Sequence, residues 1–453
     1  MKKEPNNCPP EHIFLKDLFL SLSSNDIDYC VLRDYQKLPF STDGHDIDML
    51  IRRDDINDLI GIIRNISLRY NGRLITSYDN KTVIFRMCGY YKEWWGVAID
   101  LIPFVQYRNF TYYSEKVVLS NTNLWRGILV AADKDDSMIS FLKECLANGR
   151  DRKGYADKAR NSYLQFPGYY TESFQKYFGM VGANELDVFF RAEFNTNSMP
   201  ALKKHLRRNL MSTSLKGSLL KNLVGIALNS VNRLSRLIRP PGYTICVLGT
   251  DGSGKSTVIN QIQPILEHAL HSKIVYRHMR PGLVPSLAVL FGKKNKHNSG
   301  PVSNPHGSNP SSQFASLLRL TYYSIDYIVG YWVIVRVSLA KGPGLWVFDR
   351  YFYDYLIDPK RGRINLPQWL IKLFAFFIPK PDLVLCLGAE PEVIHGRKPE
   401  LPLPEVRRQV RELRNLCERT SNAVWIDTGT SLAESADQAL VAITTAMAAR
   451  YEN

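Results

Sequence analysis

Cysteine is scarce in this chain, and no two cysteines are spaced as a Cys-x-x-Cys pair. The sequence holds seven among 453 residues, and Cys30, Cys246 and Cys386 each lie inside an apolar run. This scattered spacing argues against a disulfide framework. We therefore expect a reduced, cytoplasmic protein whose thiols are buried.

Uninterrupted apolar stretches of membrane-spanning length are also missing. The stretch Tyr322–Ala340 is long enough to raise the question, but Asp326 and Arg336 interrupt it. We predict a buried helix there, with membrane contact as the less favoured alternative. Residues 1–10 are polar and rich in proline, so we expect no signal peptide.

Acidic residues are outnumbered, which favours anionic partners such as nucleotides, nucleic acid or acidic lipid. The chain has 58 Lys and Arg against 43 Asp and Glu, a formal net charge of +15. Residues 201–240 contain nine Lys or Arg and no acid. A connector helix with a solvated basic face is the favoured interpretation, and a basic helix lying on an anionic membrane surface is the alternative. A nucleic-acid partner has no recognised motif in its favour.

The most informative stretch is Gly249–Thr257, which matches the pattern G-x-x-x-x-G-K-S. It follows an apolar strand, Tyr243–Leu248, and precedes a helical pattern that runs to about His271. In that context a glycine loop binds the phosphates of a nucleoside triphosphate. Lys255 is expected to reach the β- and γ-phosphates, and the Ser256 hydroxyl to ligate Mg²⁺. The predicted contacts to ATP are Gly249, Asp251, Gly252, Ser253, Gly254, Lys255, Ser256 and Thr257.

Strand and helix patterns alternate from residue 241 onward, which predicts an α/β domain with a parallel five-stranded sheet. Asp349 and Arg350 follow the third strand, at the sheet edge where open α/β folds bind ligands. An aspartate there can orient an acceptor, and an arginine can clamp a phosphate. The strand candidates are Tyr243–Leu248, Ile274–Arg277, Leu345–Phe348, Leu383–Leu387 and Val424–Ile426.

These segments resemble thymidylate kinase over about residues 242–450. The resemblance implies that Asp349 and Arg350 face the phosphoryl acceptor. It also implies that Arg397 and Lys398 begin a lid that neutralises the transferring phosphoryl group, although a solvated helix face is an equal alternative for these two. The matching motifs are Gly249–Thr257, Asp349-Arg350-Tyr351, Pro381–Leu387 with Pro391-Glu392-Val393, and Ile426-Asp427.

Two segments depart from the thymidylate kinase pattern on the acceptor side. Arg280-Pro281-Gly282-Leu283 stands where the family has Arg-Glu-Pro-Gly-Gly-Thr. Phe352–Arg361 replaces the stretch that lies beside the thymine in that family. We therefore expect an intact ATP site and an acceptor other than thymidine monophosphate.

Three acids mark the first part of the chain. Asp46 and Asp48 belong to one short strand, and alternate strand residues share a face. Asp100 lies in a later apolar strand, Val97–Ile102. Adjacent carboxylates repel one another, and a Mg²⁺ ion between them would offset that cost.

This arrangement resembles the nucleotidyltransferase superfamily of the DNA polymerase β type, over about residues 11–130. The resemblance implies an α+β fold in which Asp46, Asp48 and Asp100 bind the metals that activate nucleotidyl transfer. Leu32-Arg33-Asp34 stands where the family has a Gly-Ser pair that holds the triphosphate. A hairpin with surface acids, or a family fold without activity, are the alternatives.

The sequence thus predicts three regions: a nucleotidyltransferase-like domain (1–132), a helical basic connector (133–240) and a P-loop kinase domain (241–453). The leading hypothesis is a phosphotransferase that depends on ATP and Mg²⁺ and acts on a sugar, nucleoside, nucleotide or polymer end. The alternatives are a nucleotide-gated binding protein with an inactive first domain, and a nucleic-acid end-processing kinase. We also expect Lys255 to be a solvent-facing charge, so that replacing it leaves the fold intact.

Overall fold

The computed structural model describes residues 8–79, 83–151, 153–192, 196–217, 219–285 and 312–451. The chain forms two compact units, Met1–Leu234 and Ser235–Asn453. The division into three regions stays a prediction. A mobile loop is also predicted at 293–313, and all but its last two residues lie outside the described part of the chain.

The first unit is built on a mixed sheet of seven strands. Its strands are β1 (Tyr29–Val31), β2 (Ile47–Ile51), β3 (Gly72–Asp79), β4 (Val83–Tyr91), β5 (Glu93–Ile102), β8 (Thr122–Trp125) and β9 (Ile128–Ala131); β6 (Gln106–Tyr107) and β7 (Phe110–Thr111) form a separate hairpin. The order across the sheet is β3-β4-β5-β2-β1-β9-β8. Strands β2 and β5 are parallel neighbours, with Asp48 opposite Asp100. The topology therefore brings together two acids that are 52 positions apart in the sequence.

Helices cover both faces of this sheet. Alternate residues of β2 divide between two cores: Met49 and Ile51 join the cluster of α1 and α2, whereas Leu50 joins the cluster of α4 to α7. The helices are α1 (Pro10–Ser24), α2 (Ile56–Arg69), α3 (Glu115–Ser120), α4 (Asp133–Ala147), α5 (Tyr155–Gln165), α6 (Pro167–Arg191), α7 (Met199–Gly217) and α8 (Leu219–Ile238), with 3₁₀ turns at Arg53–Asp55 and Thr196–Ser198.

The basic stretch 201–240 consists of two helices with different surroundings. Helix α7 buries Met199, Leu206 and Leu210 in the core of the first unit, as expected of a packed connector with a basic outer face. In α8, by contrast, Val231 and Leu234 are 61% and 62% exposed. The two helices thus differ in burial, and the role of residues 201–240 stays a prediction.

The second unit contains a five-stranded sheet in which every pairing is parallel. Its strands are β10 (Tyr243–Leu248), β11 (Val275–His278), β12 (Leu345–Asp349), β13 (Leu383–Gly388) and β14 (Ala423–Asp427), in the order β11-β12-β10-β13-β14. The predicted α/β sheet is confirmed, with strand ends that differ from the predicted ones by at most one residue. The helices are α9 (Lys255–Leu270), α10 (Gln313–Ile325), α11 (Val337–Leu339), α12 (Asp354–Ile357), α13 (Gln368–Phe377), α14 (Pro391–Arg397), α15 (Leu403–Arg419) and α16 (Leu432–Ala448), and a π-helical segment, Asp326–Arg336, joins α10 to α11.

The stretch Tyr322–Ala340 is helical, as predicted, but it is not buried on all sides. Tyr327, Tyr331 and Val335 lie in the core, whereas Trp332 and Val333 are 54% and 55% exposed. The prediction of a buried helix is correct for one face only. In the described part of the chain, we find no helix that is both long enough and apolar enough to cross a membrane.

Candidate functional site

The predicted phosphate loop connects β10 to α9 in the second unit. Gly252 and Gly254 have φ angles of 87° and 78°, in the left-handed region that glycine tolerates best. A side chain at Gly249 would meet the Leu387 carbonyl oxygen at 2.6 Å. The three glycines are therefore required by the backbone, and the resulting loop ends at the first turn of α9, where free N–H groups attract anions.

A cavity of about 240 Å³ opens above this loop. Among its charged side chains are four cations, from Lys255, Arg350, Arg361 and Lys398, but only two carboxylates, from Asp251 and Asp349. This excess of positive charge suits a polyphosphate. Its other lining residues are Gly252, Gly254, Ser256, Thr257 and His278.

Lys255 differs from its predicted position. Its side chain is buried, and Nζ donates hydrogen bonds to the carbonyl oxygens of Gly249 and Thr250, both at 2.9 Å. Burial, reinforced by the nearby Arg350 charge, lowers the pKa of Lys255 to about 8. The expectation of a solvent-facing charge is therefore wrong, because the side chain folds back against the carbonyl groups of its own loop.

Asp251, inside the loop, is held by two arginines from a distant part of the chain. Arg350 donates from one nitrogen to Asp251 Oδ1 at 2.5 Å and from the other to Asp354 Oδ2 at 2.8 Å. Arg361 pairs with the second oxygen of Asp251. Burial alone would raise the pKa of Asp251, but the two guanidinium groups outweigh it and lower the pKa to about 2.

Asp349 lies at the end of β12, and its two carboxylate oxygens differ in their hydrogen-bond partners. Its Oδ2 accepts a hydrogen bond from the Tyr276 hydroxyl at 2.5 Å, and His278 Nδ1 lies 3.6 Å away. Burial opposes ionisation, but these two neighbours and Lys255 lower the pKa of Asp349 to about 2. Among the described residues, the buried Oδ1 has no hydrogen-bond partner.

Two hydroxyl oxygens of the loop are buried without a partner as well. Thr250 Oγ1 and Ser253 Oγ have none within the described ranges. Buried polar atoms without partners are costly, and in native proteins they often mark the place of a ligand or an ion. Neither residue lines the cavity, and it is the loop and the lining cations that fit a nucleoside triphosphate bound with Mg²⁺.

Arg397 and Lys398, although adjacent in the sequence, have different surroundings in the structure. The Arg397 guanidinium donates to the Thr428 carbonyl oxygen at 2.8 Å and is not among the residues that line the cavity. Lys398 does line it, and its Nζ lies 3.1 Å from Glu400. The geometry favours Lys398 over Arg397 for contact with a phosphate. Arg361 was not predicted, because it stands in a basic stretch with no motif spacing.

In the first unit, the three predicted acids converge. Carboxylate oxygens of Asp46, Asp48 and Asp100 all lie within 4.8 Å of one another. Oxygen ligands at this spacing suit Mg²⁺. We call this group the acid cluster.

Two arginines, the half-buried Arg33 and the buried Arg86, already pair with the acid cluster. Arg33 forms an ion pair with Asp48, and Arg86 donates to Asp100 Oδ1 at 2.7 Å. Burial would raise the pKa of Asp48, but Lys143 and Arg33 hold it below its usual range. Burial also raises the pKa of Asp100, and Arg86 offsets only part of this effect. Arg33, in the segment Leu32-Arg33-Asp34, is thus a partner of the cluster.

Comparisons with known proteins return structural likenesses only. A thymidylate kinase from Ehrlichia chaffeensis matches 44% of this chain and 97% of its own, at 13% identity and a TM-score of 0.31. Another from Candida albicans matches 45% of this chain and 92% of its own, at 20% identity and a TM-score of 0.32. Searches of protein-family models and of curated proteins find no match. The functional argument therefore rests on the cavity itself.

Proposed function

We propose that the second unit is a phosphotransferase that uses ATP and Mg²⁺. The observation that supports this most directly is the cavity. A glycine loop, four cations and the residue Asp349 line one space. Loop and cations suit the donor phosphates, whereas a carboxylate beside them suits an acceptor.

The proposed reaction is an in-line displacement. An acceptor oxygen attacks the γ-phosphorus, the bond from that phosphorus to the β–γ bridging oxygen breaks, and ADP leaves. Lys255, Arg361 and Lys398 offset the charge on the phosphoryl oxygens. With a pKa of about 2, Asp349 stays ionised and orients the acceptor rather than serving as a strong base.

Mg²⁺ would be held by the Ser256 hydroxyl and the phosphates, and would neutralise charge on the β- and γ-oxygens. Ser256 is exposed to the cavity at the start of α9. Lys255, in contrast, must give up at least one loop carbonyl to reach a phosphate.

The proposal is tested with ATP labelled in the γ-phosphate, offered with sugars, nucleosides and nucleoside monophosphates. Asp349→Asn should lower transfer about 100-fold, because the loss of a positioned carboxylate commonly costs at least that much, while ATP affinity changes little. Glu418→Gln, an exposed acid outside the cavity, is the matched control. ATP binding without transfer to any acceptor would support the nucleotide-gated alternative instead.

The acceptor is proposed to differ from thymidine monophosphate. The contacts around Arg280 support this: its guanidinium donates to the buried Asp326 at 2.8 Å and lies over the Tyr323 ring at 4.3 Å. Arg280 stands at the position where the acceptor-side segment of the thymidylate kinase pattern begins. Its guanidinium is already engaged by Asp326 and Tyr323. A coupled assay should detect little dTDP, and efficient dTDP formation would overturn the proposal.

For the first unit, we propose a divalent-metal site at Asp46, Asp48 and Asp100. The convergence of the three acids supports metal binding, whereas the pairing of Arg33 with Asp48 supports the alternative that nucleotidyl transfer has been lost. When bound, a metal would supply the charge that activates nucleotidyl transfer. Transfer of AMP from ATP labelled in the α-phosphate, with release of pyrophosphate, in a chain carrying Asp349→Asn would separate this activity from the kinase.

A further inference from the structure

Helix α13, Gln368–Phe377, exposes large apolar side chains. Trp369 is 66% exposed, Leu373 49%, Phe376 79% and Phe377 62%. These positions are spaced i, i+4, i+7 and i+8, so they share one face of the helix. Ile371, between them in sequence, is buried in the core of the second unit. We call the four exposed side chains the α13 ridge.

The ridge lies in a stretch of one charge sign. No Asp or Glu occurs between Asp358 and Asp382, a run of 23 residues that contains five Lys or Arg. Of these, Arg363, Lys372 and Lys380 are exposed. Lys372 lies within α13 itself, and the other two flank it. Within this segment the apolar side chains are accompanied by cations and by no acid, which makes the segment complementary to a surface that is apolar inside and anionic outside.

We propose that the α13 ridge docks the second unit onto an anionic membrane surface. A ten-residue helix is about 15 Å long, half the thickness of the hydrocarbon core, so it cannot span a bilayer. It suits the interfacial mode, in which aromatic and aliphatic side chains enter the headgroup boundary and cations contact acidic lipid. Trp369 is of a residue type enriched at that boundary.

The same charges argue against the ridge of a second copy as the occupant. Pairing the ridge with itself would bring two sets of Lys372 and Lys380 together with no acid in this segment to offset them. A membrane rich in phosphatidylglycerol supplies the missing negative charge. Docking through the ridge is independent of the proposed kinase activity.

The experiment is co-sedimentation of the full chain with vesicles of phosphatidylcholine alone or mixed with phosphatidylglycerol. The wild-type chain should bind the mixed vesicles, and binding should fall as salt increases. Phe376→Ser with Phe377→Ser should weaken partitioning about tenfold or more. Lys372→Gln with Lys380→Gln should weaken binding to the anionic vesicles and flatten its salt dependence.

Met180→Ser is the matched control, because Met180 is 71% exposed on a helix of the first unit; it should bind as wild type does. Trp369→Phe gives a second measurement: vesicles should shift the tryptophan emission of the wild-type chain to the blue, and this variant should show less of the shift. Equal binding by the wild type and the Phe376/Phe377 variant would overturn the proposal. So would a dimer in sedimentation analysis that this variant dissociates while vesicle binding is unchanged.

The predicted membrane contact of residues 201–240 stays a separate prediction. Its described support is in α8, where Val224, Val231, Leu234 and Ile238 are exposed at spacings that place them on one face. If the Phe376/Phe377 variant still binds vesicles and Leu234→Ser does not, α8 rather than the α13 ridge is the surface that docks on the membrane.

Discussion

The cavity of the second unit is lined by more cations than carboxylates, whereas the acid cluster of the first unit brings three carboxylates together. The cavity gathers cations from separate elements, and Asp349, which lines it, has one oxygen without a partner in the described structure. The acid cluster gathers three carboxylates, and arginines of the same unit pair with two of them. Cations prevail among the charged residues that line the cavity, whereas in the acid cluster two of the three acids are paired with arginines.

This difference teaches that charge convergence alone does not define a working site. Unpaired carboxylates would make a metal strongly favourable, because close like charges repel. Arg33 and Arg86 remove much of that driving force, and any metal must compete with them. In the cavity, Arg350, Arg361 and Lys398 also pair with acids, so a ligand must compete there as well, but the lining cations outnumber the lining carboxylates four to two. The comparison can be tested by removing charges from each site in turn.

The largest effect is expected for Lys255→Met. Phosphoryl transfer should fall at least 100-fold, since loss of one charge contact to the transition state costs about 3 kcal/mol. The fold should also lose stability, by about 1–3 kcal/mol, because two loop carbonyls lose a buried donor. Transfer assays and urea unfolding measure the two effects. Lys273→Met, at an exposed lysine beyond α9, should change neither, and wild-type transfer by Lys255→Met would remove the donor-site assignment.

A smaller effect is expected for Arg361→Gln. Arg361 lines the cavity and pairs with Asp251, so its loss removes one cation and one support of the loop. The KM for ATP should rise about tenfold, equivalent to about 1.4 kcal/mol, and kcat should fall less. Arg363→Gln, two residues away and exposed, should leave the KM unchanged. An unaltered KM in Arg361→Gln would show that this arginine is structural only.

Much of the second unit is predictable from the sequence, because its signals are local. The strand, glycine loop and helix around Gly249–Thr257 are contiguous, and β10 was predicted with its observed limits. The contacts that complete the cavity are not local. Arg361 and Asp251 are 110 positions apart, and Tyr276 and Asp349 are 73 apart. Only the folded sheet and its connecting segments bring such pairs together.

The acid cluster shows the same limit. The alternation of Asp46 and Asp48 is visible in the sequence, and the parallel pairing that places Asp100 beside them is a property of the sheet. Arg33 carries no signal of its own, since a loop arginine is ordinarily solvated. The prediction of a solvent-facing Lys255 side chain is wrong for a related reason. A motif specifies the residue type but not the hydrogen bonds that its side chain makes without a ligand.

The smallest effect, and the sharpest test of the comparison, is the response of the acid cluster to metal. Mg²⁺ or Mn²⁺ at about five times the dissociation constant should stabilise the chain by about 1 kcal/mol, seen as a rise of a few degrees in the melting temperature of the first unit. Asp46→Asn with Asp48→Asn should abolish the gain. Each variant must be compared with and without metal, because losing Asp48 leaves Arg33 unpaired and lowers stability by itself.

Arg33→Gln then tests whether the ion pair with Arg33 limits metal binding by the acid cluster. Removing this guanidinium frees Asp48 and should increase the affinity for metal, so the same metal concentration should raise the melting temperature further than in the wild-type chain. Arg52→Gln, whose arginine pairs with Asp28 and Asp55 outside the cluster, is the matched control. If neither the wild-type chain nor Arg33→Gln responds to metal, the arginines have no ion to compete with. The cluster is then an internally neutralised group, and the chemistry of the protein belongs to the cavity around Lys255 and Asp349.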